Sequence, residues 1–337
     1  MLLMLIIFNL LLLGFFVPQS LTSQDATISY GVFVGLTLLM VFCYFYSRKI
    51  EARLEQGTRS AMSLMLIKLK RNKAAMGGLF VVSALIYCAI LAPFIVPVDP
   101  FTMDWSALSS GPSSAHWLGT DDLGRDTLSR TIYGTRIALG IGLLAVLLNT
   151  IMGTTLGLLA GFYGGKTDNI IMRSLEFWNA IPFILMAIAL MAALGSGLFN
   201  LVLVVSLTGI LEFARIIRGD SMLLRSADYV NAARVMGIPD GQIIRRHILP
   251  NCLAPTIVMA TLRVGETILT IAGLSFLGLG VQPPTASLGA MLASGQQYLH
   301  QNLAMSLVPG GVILLIVLAF NLFGDGLRDA LDSKITN

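Results

Sequence analysis

Long apolar runs, more than any single motif, limit what this chain can fold into. A helix that crosses the hydrocarbon of a bilayer needs about 20 mostly apolar residues. Runs of that kind recur from end to end, at 1–17, 31–46, 76–96, 135–161, 175–194, 198–216, 253–274 and 304–323. Only 12% of the 337 residues are charged and 55% are hydrophobic, whereas a soluble domain carries about 25% charged residues. Lipid is therefore the main solvent, and the fold class expected is an all-α polytopic membrane protein. The first two runs are short. Run 1–17 lacks a basic n-region and a small-residue cleavage site, which points to a retained anchor rather than a cleaved signal peptide.

Basic residues set the expected orientation. Arg48, Lys49, Arg53, Arg59, Lys68, Lys70, Arg71 and Lys73 crowd the segment before Met76. Lys166 and Arg173 share one short connection, and Arg215, Arg218, Arg225, Arg234, Arg245 and Arg246 another, while 280–302 has no Lys or Arg. The positive-inside rule puts the basic segments in the cytoplasm. Loops 98–134 and 280–302 then lie outside, and both termini inside. Arg125 and Arg130 fall in the outer loop, outnumbered by Asp99, Asp104, Asp121, Asp122 and Asp126. The net charge of +4 follows from these cytoplasmic loops and does not call for nucleic acid. Cys43, Cys88 and Cys252 lack metal or disulfide-framework spacing and read as packing residues. The chain divides into 1–47 (extra N-terminal spans), 48–75 (a basic cytoplasmic linker) and 76–134 (the first core span with an outer loop). Residues 135–325 form the core with a cytosolic loop at 217–250, and 326–337 form a cytoplasmic tail.

Within that loop the chain turns amphipathic. Asp228 is placed to cap a helix starting at Tyr229, and Gly237 suits the left-handed residue that ends it. Pro239 fits the first turn of a second helix, with Asp240 at the positive end of its dipole. Ile243, Ile244, His247 and Ile248 stack on one face while Arg245 and Arg246 point elsewhere, and Pro250 is expected to stop the helix. Two helices this short need a covering surface. A partner protein fits slightly better than the chain's own span ends or lipid headgroups.

Other motifs are weaker. Ala160 to Thr167 matches a relaxed phosphate-loop pattern, but an apolar helix precedes it where a strand is needed, so a glycine turn leaving the membrane is expected and no ATP site. Gly153, Gly157 and Gly161 repeat at four-residue spacing, which suits close helix packing. Arg263 and Glu266 share a helix face deep in a span, where ionisable groups are costly and turn toward a partner or water. A polar patch beside a translocation pathway and a structural lock between two helices remain equally open. His116, His247 and His300 fall in loops or at span ends. No metal ligands, cofactor site or nucleophile–base pair emerge, which argues against an enzyme.

Asn231-Ala232-Ala233, Gly237 and Ile248-Leu249-Pro250 resemble the EAA loop of ABC importer permeases, the segment that inserts into a cleft of the ATPase subunit. Three further stretches are similar to the second permease subunit of dipeptide/oligopeptide and nickel importers. These are Trp117-Leu118-Gly119-Thr120-Asp121-Asp122-Leu123-Gly124-Arg125-Asp126, Leu274-Ser275-Phe276-Leu277-Gly278-Leu279-Gly280 with Gln282-Pro283-Pro284, and Phe320-Asn321-Leu322-Phe323-Gly324-Asp325-Gly326-Leu327-Arg328-Asp329.

The resemblance runs from about Lys70 to the C-terminus. It implies a six-span type I permease core in a bacterial inner or plasma membrane, with about two extra spans before Tyr46 whose role it does not explain. It also implies a homologous second permease, two ATPase subunits that bind ATP and Mg, an extracytoplasmic solute-binding protein and a lipid surround. Asp228, Asn231, Ala232, Ala233, Arg234, Gly237, Ile243, Ile244 and Pro250 would couple to the ATPase. The substrate expected is a di- or oligopeptide, with nickel chelates or glutathione as alternatives. An ion-coupled secondary transporter trails for want of a clear repeat and of more than one deep acid. Two positions depart from the family: Asn231 stands where Glu is usual, and Ile271 where many relatives carry an acid.

Overall fold

The computed structural model describes residues 61–331, and runs 1–17 and 31–46 lie outside them. Every element is helical, and no strand occurs among the described residues. Five helices are long and apolar enough to cross a bilayer, and a bent pair makes a sixth if counted as one span. The chain divides into two compact units, 61–137 with 284–331, and 138–283.

In the first unit, α1 (Ala61–Arg71) and α2 (Lys73–Ile95) are separated by Asn72, whose side-chain oxygen caps α2 by accepting the Ala75 N–H at 3.1 Å. The last helix, α12 (Ala304–Leu331), packs along α2. The approach needs small residues: a methyl on Gly78 would meet the Ala319 carbonyl oxygen at 2.8 Å, and one on Gly326 would strike Ala75. Gly326, the second glycine of the Phe320–Asp329 motif, is thus a packing requirement. A short helix, α11 (Leu288–Gln297), precedes α12 in what was expected to be an open loop.

Segment 96–126 is a tight polar knot. Gly119 and Gly124 hold φ of +76° and +72°, conformations that glycine adopts without strain. Asp121 Oδ1 accepts the N–H groups of Leu123 and Arg125 at 2.9 Å each. Its Oδ2 takes Arg125 Nε at 2.8 Å and lies 3.2 Å from Arg130 Nε. Asn302 closes the knot by donating to the Ser110 carbonyl at 2.9 Å. Arg125 and Arg130 are both buried. Two arginines can thus sit in a loop expected on the side poor in positive charge: Asp121 pairs with both of them inside, and Asp122 lies 3.9 Å from Arg125.

The long helix α3 (Thr127–Tyr163) starts earlier than the apolar run at 135–161 suggested. Its later part belongs to the second unit with α4 (Gly165–Asn179), α5 (Phe183–Leu194), α6 (Leu198–Thr208), α7 (Ile210–Arg225), α8 (Asp228–Val235), α9 (Asp240–Ile243) and α10 (Leu249–Phe276). The segment resembling a phosphate loop joins helix α3 to helix α4. The run 175–194 is not one straight span: α4 and α5 meet at 86°. Pro182, as the N-cap of α5, explains the break, since proline lacks an N–H and disfavours helical geometry in the residue before it.

The expected glycine stripe is a packing seam. Methyls on Gly153, Gly157 and Gly161 would collide with α7, the second meeting the Ala214 carbonyl oxygen at 2.6 Å and the third that of Arg218 at 2.5 Å.

Candidate functional site

Between α7 and α10 the chain builds the element that its sequence singles out. Helix α8 begins one residue earlier than expected. Its N-cap is Ala227, and Asp228 is the first helical residue, making no capping hydrogen bond. As a carboxylate in the first turn Asp228 still opposes the positive end of the helix dipole. The other end matches expectation. Gly237 has φ of +76°, its N–H bonds the Arg234 carbonyl at 2.9 Å, and the Ile238 N–H bonds the Ala233 carbonyl at 3.1 Å. This bond pair is the Schellman arrangement that ends a helix on glycine. The Leu274–Gly280 motif closes α10 the same way: Gly278 has φ of +79°, and the Leu279 N–H reaches the Leu274 carbonyl at 2.9 Å.

The second half of the element departs from expectation. Pro250 does not stop a helix. It stands in the first turn of α10, and helix runs continuously from Asp240 to Phe276. A π turn at Ile244–Ile248 makes this possible, with the Leu249 N–H bonding the Ile244 carbonyl. Proline removes one α-helical donor and crowds the carbonyl of residue i−4, and a turn wound i to i+5 absorbs the mismatch. The element is therefore one short helix and the base of a long one.

Apolar burial holds the element in place. Val230, Ala233, Ile243 and Ile248 pack with Leu158 and Phe162 of α3, Ile217 of α7 and Cys252 of α10, and Arg245 and Arg246 stay exposed. Cys252 serves as packing, as its sequence context suggested. Arg234 lies over the Phe162 ring at 5.0 Å, a cation–π contact. Asn231 is exposed and donates to the chain's own Ser226 carbonyl at 3.4 Å. The tip points outward, with Val235 89% and Met236 71% exposed.

A second feature lies mid-span. Arg263 Nη1 contacts Glu266 at 2.5 Å, as the spacing predicts. It also contacts Glu212 of α7 at 2.9 Å, which the sequence reading missed when it counted one deep acid. The arginine side chain is 19% exposed, against 48% for Glu212 and 63% for Glu266. Ile271 is buried. Nearer Arg225, Arg218 holds Asp168 of α4 through two hydrogen bonds of 2.5 and 2.6 Å. These residues border a cavity of about 330 Å³ that Arg173, Glu176 and Arg215 also line.

Several helices long and apolar enough to cross a bilayer, two of them joined through an outward-pointing helical tip, mark an integral membrane protein. The family model described as binding-protein-dependent transport system inner membrane component matches residues 153–337. The one for the N-terminal TM domain of oligopeptide transport permease C matches 60–112. A glutathione transport system permease protein, GsiD of Pectobacterium atrosepticum, is 47% identical over 79% of this chain and 89% of its own length. Dipeptide transport system permease proteins are similarly related: DppC of Alkalihalophilus pseudofirmus is 44% identical over 80% of this chain and 88% of its own. A di/tripeptide DppC of Pseudomonas aeruginosa is 44% identical over 79% and 90%. Among solved structures, an inward-facing MetNI methionine ABC transporter chain overlaps with TM-score 0.49 at 19% identity, covering 61% of this chain and 97% of that one. The chain belongs to the inner-membrane permease components of binding-protein-dependent ABC importers.

Proposed function

We propose that this chain imports di- or oligopeptides as one of two homologous permeases, driven by two ATPase subunits and fed by an extracytoplasmic binding protein. ATP and Mg act on the ATPases, and this chain is a non-catalytic conduit with both termini in the cytoplasm. The observation that carries the reading is the exposed Val235–Met236 tip of α8. Its fixed Gly237 end and buried base at Val230 and Ala233 make it a rigid lever. Continuous helix from α9 into α10 carries a push on that lever toward Arg263. Asn231 meets its own chain's carbonyl, so contact with the ATPase falls on the apolar tip rather than on an acid. The glutathione permease among the relatives favours a second reading, in which the peptide is glutathione.

Gly237→Val tests the lever. There is open space for the new side chain, but φ near +76° is strained for a β-branched residue. We expect normal membrane insertion, with ATP-dependent uptake in proteoliposomes of the whole complex down at least ~10-fold, an effect of about 1.4 kcal/mol or more. Uptake at the wild-type rate overturns the coupling assignment.

A further inference from the structure

The charges on the second unit form a ladder of two signs. Arg263 sits halfway along α10 and Glu212 halfway along the span Leu198–Arg225, which puts each about 20 Å from either end. At that depth a carboxylate facing hydrocarbon is costly, and ionisable groups turn toward partners or water. Both acids nevertheless stand half-exposed, and they share one guanidinium nitrogen. Two carboxylates on one arginine leave one negative charge over.

One turn along α7, about 4.5 Å by helical rise, stands Arg215. Among the described residues lining the 330 Å³ cavity, Arg218 is held by Asp168 and Arg173 lies 3.9 Å from Glu176. Arg215 is exposed and engages no described acid. The cavity falls at the small end of the ~300–1,000 Å³ range for small-molecule pockets. An excess carboxylate, an unengaged guanidinium one turn away and a cavity beside it together match a molecule with a positive and a negative end.

We propose that this face lines the water-filled route and takes a zwitterionic peptide, with Glu212 and Glu266 receiving its ammonium group and Arg215 its terminal carboxylate. The peptide as occupant rests on the function proposed above. The two-signed, exposed face does not. Charge-lined constrictions are a general source of selectivity in membrane pathways, and a ladder with both signs selects for zwitterions over ions of either net charge.

The test uses the assembled importer with its native cysteines replaced. A single cysteine is placed at Thr270, one turn from Glu266 on the same helix, or at Ile216, beside Arg215. Thiosulfonate reagents of either charge then report local potential by their rates. The cationic reagent should be the faster at Thr270→Cys, and adding Glu212→Gln with Glu266→Gln should cut its advantage about tenfold. The anionic reagent should be favoured at Ile216→Cys, an advantage lost with Arg215→Gln. Millimolar dialanine, delivered by the binding protein, should protect both cysteines, and N-acetyl-dialanine amide should not. Failure of both reagents to react, or rate ratios unmoved by the neutralising substitutions, overturns the ladder. If the ratios behave as stated but dialanine neither protects nor is transported, the ladder stands and the peptide assignment falls.

Discussion

Two acid–arginine clusters in this protein use the same chemistry to opposite ends. In the 96–126 knot, Asp121 accepts two backbone N–H groups and the Arg125 guanidinium and pairs with Arg130, and both arginines are buried. In the mid-span cluster one arginine is shared by two carboxylates that remain half-exposed. The first is closed: its charges face one another inside the fold. The second is left with unspent charge, facing outward in the middle of a span. Exposure, rather than residue type, separates a structural charge network from one available to another molecule.

The sharpest way to break the comparison is Asp121→Asn. It leaves Arg125 and Arg130 buried without their shared counter-charge, and breaking a buried pair costs about 3–5 kcal/mol. The purified complex should lose that much stability or fail to accumulate, seen as a large fall in melting temperature. Arg263→Gln should do less. Its carboxylate partners would repel each other, but neither is buried. We expect a loss of about 1–2 kcal/mol, with insertion intact and peptide uptake altered. Glu266→Gln should be mildest. An exposed ion pair contributes about 0–1 kcal/mol, so melting should stay within ~2 °C of wild type while reagent selectivity at Thr270→Cys shifts. If Glu266→Gln destabilised as much as Asp121→Asn, the mid-span cluster would be a lock after all.

Local signals were legible in the sequence. Arg263 and Glu266 lie three apart on one helix, and the spacing alone joins them. Gly153, Gly157 and Gly161 announce a seam because four-residue spacing fixes a face. Gly237 announces a helix end because few other residues hold its φ. What escaped depends on distant or compensating structure. Glu212 reaches Arg263 from another helix, so no local spacing betrays it. Pro250 carries a strong stop signal that the π turn cancels, and Asp228 yielded the cap to Ala227 by a shift of one residue. The bend between α4 and α5 at Pro182 escaped because the apolar count across 175–194 is blind to a break inside the run. The burial of Arg125 and Arg130 was hidden by counting charges along a loop without asking which acids enclose them.

The π turn also sets angular phase. Residues five apart on an α-helix point about 140° away from each other, yet Ile243 and Ile248 both bury completely in one core, because the wider turn brings them nearly into line. Everything beyond it inherits that offset. Winding Ile244–Ile248 as ordinary α-helix with no residue removed would carry Arg263 through about 100°, off the bearing on which it meets Glu212. The azimuth of the mid-span charges is therefore set by how one turn at the helix base is wound, far from the charges themselves.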